Sequence, residues 1–230
     1  MKRELILHIG THKTGTTSIQ KFLREEVGEP AFPRGLFFVP NSHAELMVLA
    51  GREQLHPQAV NPVIEQWLAP GNLARMRAEI SARVASDVPR LVYSFEGLCL
   101  LRERAEFERL FELFAGREVH AVLYTREAGA YLASYAATLG VMGRSLSPDP
   151  DSQFYVEPDS WLLDYSGRLA LWRAYADRVT VLDYDHEVRE RGSVVPSFAA
   201  LLGMRPSGEY FLNRSSDLPT AARPPTPGTA

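Results

Sequence analysis

The sequence predicts an α/β fold with three layers, in which helices cover both faces of a central, mostly parallel sheet. Two observations predict this fold class. Short apolar runs rich in Val, Ile, Leu and Tyr are typical of strands buried on both faces, and segments with helical periodicity alternate with them. Strands that alternate with helices build a parallel sheet. The 230 residues, of which 45% are hydrophobic, are enough for one large core.

The predicted elements follow one another along the chain. The buried strands are Leu5–Ile9, Arg90–Phe95, Val119–Tyr124 and Val179–Tyr184. The helices are Thr17–Glu26, Asn72–Ser86, Arg102–Phe114, Ala128–Leu139, Trp161–Ala176 and Val194–Leu202. Between residues 30 and 70 the pattern is weaker, because recurring prolines interrupt any long helix, and only Leu36–Val39 is predicted there as a short strand.

Two segments are predicted to lack regular structure. Residues 140–158 are rich in Gly, Ser, Pro and Asp, which predicts a long loop, and loops of this length often serve as lids or binding elements. The tail from Pro219 ends in PPTPGTA and is predicted to be disordered. We therefore expect a single domain over residues 1–218, followed by a disordered tail over 219–230.

Composition excludes several classes of protein. A net charge of -3 without runs of like charge argues against a nucleic-acid binder, which needs a basic face. The single cysteine, Cys99, has no partner for an internal disulfide and lies in an apolar stretch, so we expect a small buried hydrophobe and a reducing, cytoplasmic location. The N-terminal apolar run is shorter than a signal-peptide core, and no segment approaches the ~20 apolar residues of a membrane span.

The loop between the first strand and the first helix carries the clearest functional pattern. The sequence HIGTHKTGTTS over residues 8–18 follows a strand and opens a helix, which is the context that a phosphate-binding loop requires. Gly10 and Gly15 let the backbone turn tightly, so that successive NH groups can point at one anion. The helix N-terminus adds only about half a positive charge, and Lys13 would supply the rest. The non-functional alternative is a capped helix start.

The position of Lys13 distinguishes this loop from a Walker A loop. A Walker A loop has its lysine directly after the second glycine, followed by Ser or Thr that holds magnesium. Here Thr16 and Thr17 follow Gly15, and the lysine precedes it. This order favours a grip by NH groups, hydroxyls and one ammonium. We therefore expect no metal.

The sequence motif HxGxxKTGTTSxQ, over residues 8–20, resembles the phosphosulfate-binding loop of sulfotransferases that use 3'-phosphoadenosine 5'-phosphosulfate (PAPS). The resemblance implies a P-loop NTPase-like α/β fold, PAPS as co-substrate and 3',5'-ADP as product. It also implies that the loop holds the 5'-phosphate and that its lysine contacts the bridging oxygen as the sulfuryl group leaves. The matching residues are Lys13, Thr14, Gly15, Thr16, Thr17 and Ser18.

A second anion site is predicted after the third buried strand. Arg126 follows that strand and Ser134 lies in the next helix, so an arginine and a hydroxyl could converge on one phosphate. The pair resembles the 3'-phosphate site of the same sulfotransferases, although Glu127 and Ala128 replace the residues that often follow the arginine there. The alternative for Arg126 is a surface ion pair with Glu127 or another acid.

Sulfuryl transfer to a hydroxyl or amine needs a base that takes the acceptor's proton, and such a base typically contributes about 10²- to 10⁴-fold. Glu96 is the leading candidate, because it stands just past a buried strand, at the sheet edge where parallel sheets bind ligands. A helix N-terminal acid is its non-catalytic alternative. His12 is the rival base and a loop contact for the cofactor. His8 and His12 have the spacing of a helical metal pair, but Gly10 spoils the shared face, so no metal site is assigned.

The resemblance covers residues 5–23 and 91–139, with a fainter echo in 182–185 and 211–215. The acceptor, a small molecule, glycan or lipid, would be recognised by the divergent segments, where Phe154, Tyr155 and Trp161 could stack on it. Two other hypotheses stay open. One is a magnesium-dependent small-molecule kinase with Asp183 or Asp185 on the metal, and the other is a nucleotide-binding module without catalysis.

Overall fold

The computed structural model of the protein describes residues 3–27, 36–38, 44–55 and 68–210. Its centre is a sheet of five strands in the order β2-β3-β1-β4-β5. All four pairings between neighbouring strands are parallel. The strands are β1 (Glu4–His8), β2 (Leu36–Phe38), β3 (Arg90–Ser94), β4 (Glu118–Thr125) and β5 (Arg178–Asp183). The predicted fold class is therefore confirmed, including the short strand near Leu36.

Eight α-helices are present in the described part of the chain. They are α1 (Thr16–Phe22), α2 (Ala44–Ala50), α3 (Pro70–Ala85), α4 (Arg104–Leu113), α5 (Ala128–Val141), α6 (Tyr165–Tyr175), α7 (Tyr184–Arg191) and α8 (Val195–Leu201). None of them is long and apolar enough to cross a lipid bilayer, within the residues described.

The alternation of side chains along the strands explains the three layers. In β1, Leu5 and Leu7 are buried in one core cluster, whereas Ile6 is buried in a second cluster on the opposite face. Successive residues of a strand point to opposite faces, so a strand that is apolar throughout needs cover on both. Phe107 of α4 belongs to the first cluster and Phe198 of α8 to the second. Each face of the sheet thus has its own core.

Several predicted boundaries shift where side chains cap helices. The predicted helix Trp161–Ala176 is in fact a 3-10 turn (Trp161–Leu163) and α6, because the Asp164 carboxylate accepts the Gly167 N–H at 2.9 Å and starts a new helix. The predicted fourth strand ends at Asp183.

Helices α2 and α7 were not predicted, and α7 begins directly after β5. The Asp183 carboxylate accepts the His186 N–H at 2.8 Å, which caps this helix. The first helix starts at Thr16 and continues as a π-helix over Leu23–Val27. The helix predicted from Arg102 begins at Arg104, where Glu103 and Glu106 form a capping box. A 3-10 helix (Glu96–Leu100) precedes it.

The predicted long loop is confirmed, because α5 ends at Val141 and the next regular element begins at Trp161. The loop is tied down at two points. The Tyr135 hydroxyl donates to the Gln153 carbonyl at 3.0 Å, and Arg102 forms an ion pair with Asp151 at 2.6 Å. The predictions for residues 211–215 and for the tail 219–230 lie outside the described residues.

Strand order determines where a ligand can bind. Strand β1 lies in the middle of the sheet, between β3 and β4. The chain leaves β1 toward β2 on one side and later returns to add β4 on the other. In open parallel sheets the crevice at such a reversal of strand order is the usual ligand site. The loop after β1, the residues after β3 and those after β4 therefore meet at one edge.

Candidate functional site

The loop after β1 has an unusual backbone. Lys13 has a φ of 64° and Gly15 a φ of 80°, both in the left-handed region. That region costs a residue with a side chain roughly 1–2 kcal/mol, and such strain persists where surrounding contacts enforce it. The Thr14 hydroxyl donates to the Thr11 carbonyl at 2.6 Å, and the Thr11 hydroxyl donates to the Tyr124 carbonyl at 3.0 Å. These bonds hold the turn that presents Lys13.

Two buried polar atoms face the tight turn at Gly10. The hydroxyl of Thr16 and Nε2 of His8 are buried without a hydrogen-bond partner among the described residues. A Cβ at Gly10 would lie 2.9 Å from the Thr16 hydroxyl, so only glycine leaves the space beside it open. An unused buried hydroxyl beside a cradle of this kind fits an anionic group such as the phosphosulfate of PAPS.

The other loop residues differ in exposure. Thr14 and Ser18 are buried, whereas Thr17 is exposed at the start of α1. The Thr14 hydroxyl is predicted to contact the cofactor. In the structure it donates its hydrogen bond to the Thr11 carbonyl of the same loop. The N-cap of α1 is Gly15, and no side chain caps it. Gly15 precedes the Thr-Thr-Ser sequence as the alternative of a capped helix start has it, but none of these side chains caps the helix.

Lys13, Glu96 and Arg126 share one electrostatic environment. Burial lowers the pKa of the half-buried Lys13 ammonium, Glu96 acts to raise it and Arg126 to lower it. Glu96 is the first residue of the 3-10 helix after β3, and the nearby backbone is joined to β1 by a hydrogen bond of 3.0 Å from Phe95 N–H to the His8 carbonyl. The structure therefore brings the predicted lysine and the predicted base to the same edge of the sheet.

His12 joins the loop to Cys99 and to α5. Its Nδ1 is 3.4 Å from the Cys99 sulfur, and its ring stacks on Tyr135 with centroids 5.1 Å apart. Burial opposes the charged ring, but Cys99 and Glu96 outweigh burial and raise the pKa of His12 to about 9. The imidazole is therefore protonated at neutral pH. A protonated imidazole has no lone pair with which to accept a proton.

Cys99 has more than the packing role that the sequence predicts. It is buried as expected. Burial raises the pKa of its thiol, yet His12 and then Arg168 outweigh burial, so the pKa lies below its usual value. The contact with His12 joins residues 87 positions apart. No local pattern could have revealed it, because only the sheet topology brings the loop and the segment after β3 together.

Arg126 is directed toward the first loop. Its Nη1 donates to the Lys13 carbonyl at 2.8 Å, its Nε is 3.7 Å from the Asp185 carboxylate, and its guanidinium lies 4.7 Å from the centre of the Tyr184 ring. Ser134 is half-buried on the second turn of α5. Arg126 therefore contacts the loop, and the joint grip of Arg126 and Ser134 on one phosphate stays a prediction.

The alternative for Arg126, an ion pair with Glu127 or another acid, is met by Asp185 at 3.7 Å and not by Glu127. The Glu127 carboxylate accepts the N–H groups of Gly129 at 2.8 Å and Ala130 at 2.7 Å and so caps α5. The two residues after β4 thus have different contacts. Glu127 caps α5, whereas Arg126 donates to the loop.

The two aspartates proposed for a kinase metal site have structural partners. Asp183 caps α7, and the Asp185 carboxylate accepts the Glu127 N–H at 2.8 Å. In residues 3–27, 36–38, 44–55 and 68–210 no group of three or more His, Cys, Asp or Glu residues could hold a metal ion. Each aspartate therefore already accepts a backbone N–H at the start of a helix.

Comparison with known proteins shows which solved structures share this fold. No protein-family model matches the chain, and no curated protein matches it. A sulfotransferase from Alicyclobacillus acidocaldarius superposes with a TM-score of 0.56 at 14% identity, covering 96% of this chain and 89% of its own. The sulfotransferase domain of the curacin biosynthetic pathway gives a TM-score of 0.52 at 14% identity, covering 89% and 75%.

The tunicamycin resistance protein of Deinococcus radiodurans is a weaker match, with a TM-score of 0.43 at 15% identity over 90% of this chain and all of its own. At these identities a structural match shows the fold alone. The chain therefore has the α/β fold of solved sulfotransferases, to which it is a distant structural relative.

Proposed function

We propose that the protein is a cytoplasmic, PAPS-dependent sulfotransferase that moves a sulfuryl group to a hydroxyl or amine of a small molecule, glycan or lipid and yields 3',5'-ADP. The observation that carries the proposal is the loop after β1. Lys13 is held there in a left-handed conformation, beside the unpartnered hydroxyl of Thr16 and within the electrostatic reach of Glu96. We assign the activity to one domain over residues 1–218.

The roles of the cofactor-binding residues follow from their positions. PAPS supplies the sulfuryl group when bound. Lys13, the loop NH groups and the Thr16 hydroxyl would meet charge that develops on the leaving phosphate, as donors do in phosphoryl transfer. Arg126 and Ser134 would bind the 3'-phosphate from the β4 side. The remaining loop contacts would come from His12, Thr14, Gly15, Thr17 and Ser18.

Glu96 is the better candidate for the base. His12 has a pKa of about 9, so at neutral pH it already carries the proton that a base would have to take. A protonated His12 is instead suited to binding the anionic cofactor. Glu96 lies close enough to both His12 and Lys13 to influence their pKa values, which puts a carboxylate beside the proposed reaction centre.

A Glu96→Gln variant separates these roles. It preserves the shape of the side chain but removes the basic oxygen, so we expect the affinity for 3',5'-ADP to change little while PAPS turnover falls about 100-fold or more. Binding is measured by calorimetry and turnover by release of 3',5'-ADP in the presence of an acceptor pool. Unchanged turnover would exclude Glu96 as the base.

The proposed function itself is tested by thermal unfolding with 3',5'-ADP or ATP, each with and without magnesium. A ligand that binds only the folded protein stabilises it by about 2.7 kcal/mol at a hundredfold excess over its dissociation constant. We expect stabilisation by 3',5'-ADP without magnesium. Stabilisation only by ATP with magnesium would favour the kinase hypothesis instead, and nucleotide binding without turnover of PAPS against any acceptor would favour a non-catalytic module.

A further inference from the structure

Arg168 is a buried cation beneath the first loop that the sequence did not single out. It lies in the first turn of α6 and is fully buried, with 0% of its surface exposed. Both of its terminal nitrogens lie 3.2 Å from the Thr11 hydroxyl, and Nη1 also donates to the Leu162 carbonyl at 2.8 Å. Its Nε has no hydrogen-bond partner among the described residues.

The charge of this guanidinium is poorly compensated by the protein. Within the described residues, Arg168 donates to a hydroxyl and a carbonyl and lies 5.6 Å from the centre of the Tyr165 ring, but it forms no ion pair with a carboxylate. A buried charge without a charged partner costs several kcal/mol, so folded proteins rarely keep one without a reason. Arg168 acts to lower the pKa of Cys99 and that of His12, which contacts Cys99 from the loop. The charge is thus concentrated on the side of the site where an anion would bind.

Thr11 connects this charge to the loop and to β4. Its hydroxyl accepts from Arg168 and donates to the Tyr124 carbonyl at 3.0 Å, two residues before Arg126. Its carbonyl accepts from the Thr14 hydroxyl at 2.6 Å. One guanidinium therefore acts, through a single threonine, on the turn that presents Lys13 and on the end of the strand that presents Arg126.

We propose that Arg168 is a positioning residue for the anion site, which holds Thr11 in place and supplies a fixed positive charge that bound phosphate groups compensate. The inference rests on the anion-binding part of the proposed function. It does not depend on whether the ligand is PAPS, because the charge and the Thr11 link act on any phosphate in the loop.

The competing explanation is that Arg168 only joins the 3-10 turn Trp161–Leu163 to α6. Arg117 provides the matched control, because it is also a buried arginine whose guanidinium donates to backbone carbonyls, among them Val84 at 2.8 Å and Val88 at 2.8 Å. Those contacts lie near the amino ends of the strands, at the opposite edge of the sheet from the loop.

The test measures binding of 3',5'-ADP and of inorganic pyrophosphate by calorimetry at several salt concentrations, with urea unfolding of each ligand-free variant. For Arg168→Met we expect both affinities to fall about 10-fold or more, the loss of one charge-assisted interaction, and their salt dependence to weaken. Arg168→Lys should restore most of the affinity. Arg117→Met should lower stability and leave both affinities within about threefold.

Thr11→Val keeps Arg168 but removes the linking hydroxyl. We expect it to weaken pyrophosphate binding, and the double variant with Arg168→Met should lose less than the two single losses combined, since both break one link. Wild-type affinity in a folded Arg168→Met variant, or strictly additive losses, would overturn the inference. If pyrophosphate binding depends on Arg168 while 3',5'-ADP does not bind at all, the proposed function fails and the positioning role stands.

Discussion

At the scale of single residues, the candidate site contains charged side chains that contribute little to the stability of the protein alone. Lys13 is the one residue other than glycine with a positive φ in the described part of the chain, and it is half-buried beside Arg126. Backbone strain and like charge both oppose folding, and strain of this kind concentrates at functional sites. On the proposed function, a bound anion would relieve the repulsion between the two cations.

Lys13→Ala should therefore weaken binding of PAPS about 10-fold or more without lowering the free energy of unfolding, since the ammonium serves the ligand rather than the fold. Lys21→Ala is the control, because Lys21 lies on α1 and its ammonium pairs with Glu25 at 3.8 Å on the surface. Calorimetry and urea unfolding of both variants check this. Equal affinities for PAPS in the two variants would contradict the role of Lys13.

His12 should titrate with a pKa of about 9, and His8, which burial holds at about 3, should stay neutral across the same range. Because the pKa of His12 is raised on folding, its protonation stabilises the protein fully below pH about 6.5, and this contribution is lost as the pH rises through about 9. NMR titration of the ring protons measures both histidines. In Cys99→Ala the pKa of His12 should fall, and a pKa near 6.5 in the wild type would contradict the pairing with Cys99.

At the scale of elements, the first loop and α1 depend on their close approach to α8. Gly15 has a φ of 80°, and a Cβ there would lie 2.6 Å from Cγ2 of Val194, which is buried at the start of α8. The loop follows directly from β1 on one side, and on the other side α8 leaves no space for a larger residue at Gly15. The glycine is required both by the backbone angle and by the neighbouring helix.

Gly15→Ala should lower the free energy of unfolding by about 1–3 kcal/mol and also weaken 3',5'-ADP binding, because the turn must shift to admit the methyl group. Gly140→Ala is the matched control, since no atom lies within 4 Å of the added Cβ in α5. There the substitution should be neutral or raise stability by up to about 1 kcal/mol. Urea unfolding gives both values, and wild-type stability in Gly15→Ala would refute the steric argument.

At the scale of the whole molecule, a buried ion pair joins the segment after α2 to the start of α4. Glu106 is fully buried, and it accepts from Nη1 of Arg52 at 3.1 Å and from the N–H groups of Arg52, Arg102 and Glu103 at 2.8–2.9 Å. All of these hydrogen bonds of the Glu106 carboxylate are formed within the protein interior. The pair thereby joins the segment after α2 to α4, and Arg52 also donates to the Leu100 carbonyl at 3.2 Å.

Glu106→Gln should destabilise the fold by about 3 kcal/mol, because it removes the buried partner of Arg52 and leaves only the exposed Glu103 carboxylate, 3.9 Å from the guanidinium. The exposed pair of Arg75 and Glu79, at 2.8 Å, offers the comparison, and Glu79→Gln should change stability by less than about 0.5 kcal/mol. Urea midpoints of the two variants are compared with the wild type. Similar losses in both would show that burial adds nothing to the first pair.

The sequence pattern missed helices α2 and α7. By itself it determined the α/β fold class, the other strands and helices in their chain order, the tight turn over residues 8–18 and the candidates Lys13, Glu96 and Arg126. These features follow from local periodicity, from glycine positions and from the rule that ligands bind at the carboxyl ends of parallel strands. Only the tertiary structure decided that His12 pairs with Cys99, that Arg168 lies beneath the loop and that Asp183 and Asp185 serve α7 and α5. Such contacts join residues far apart in sequence, and side-chain burial, which sets their charges, is a property of the packed molecule.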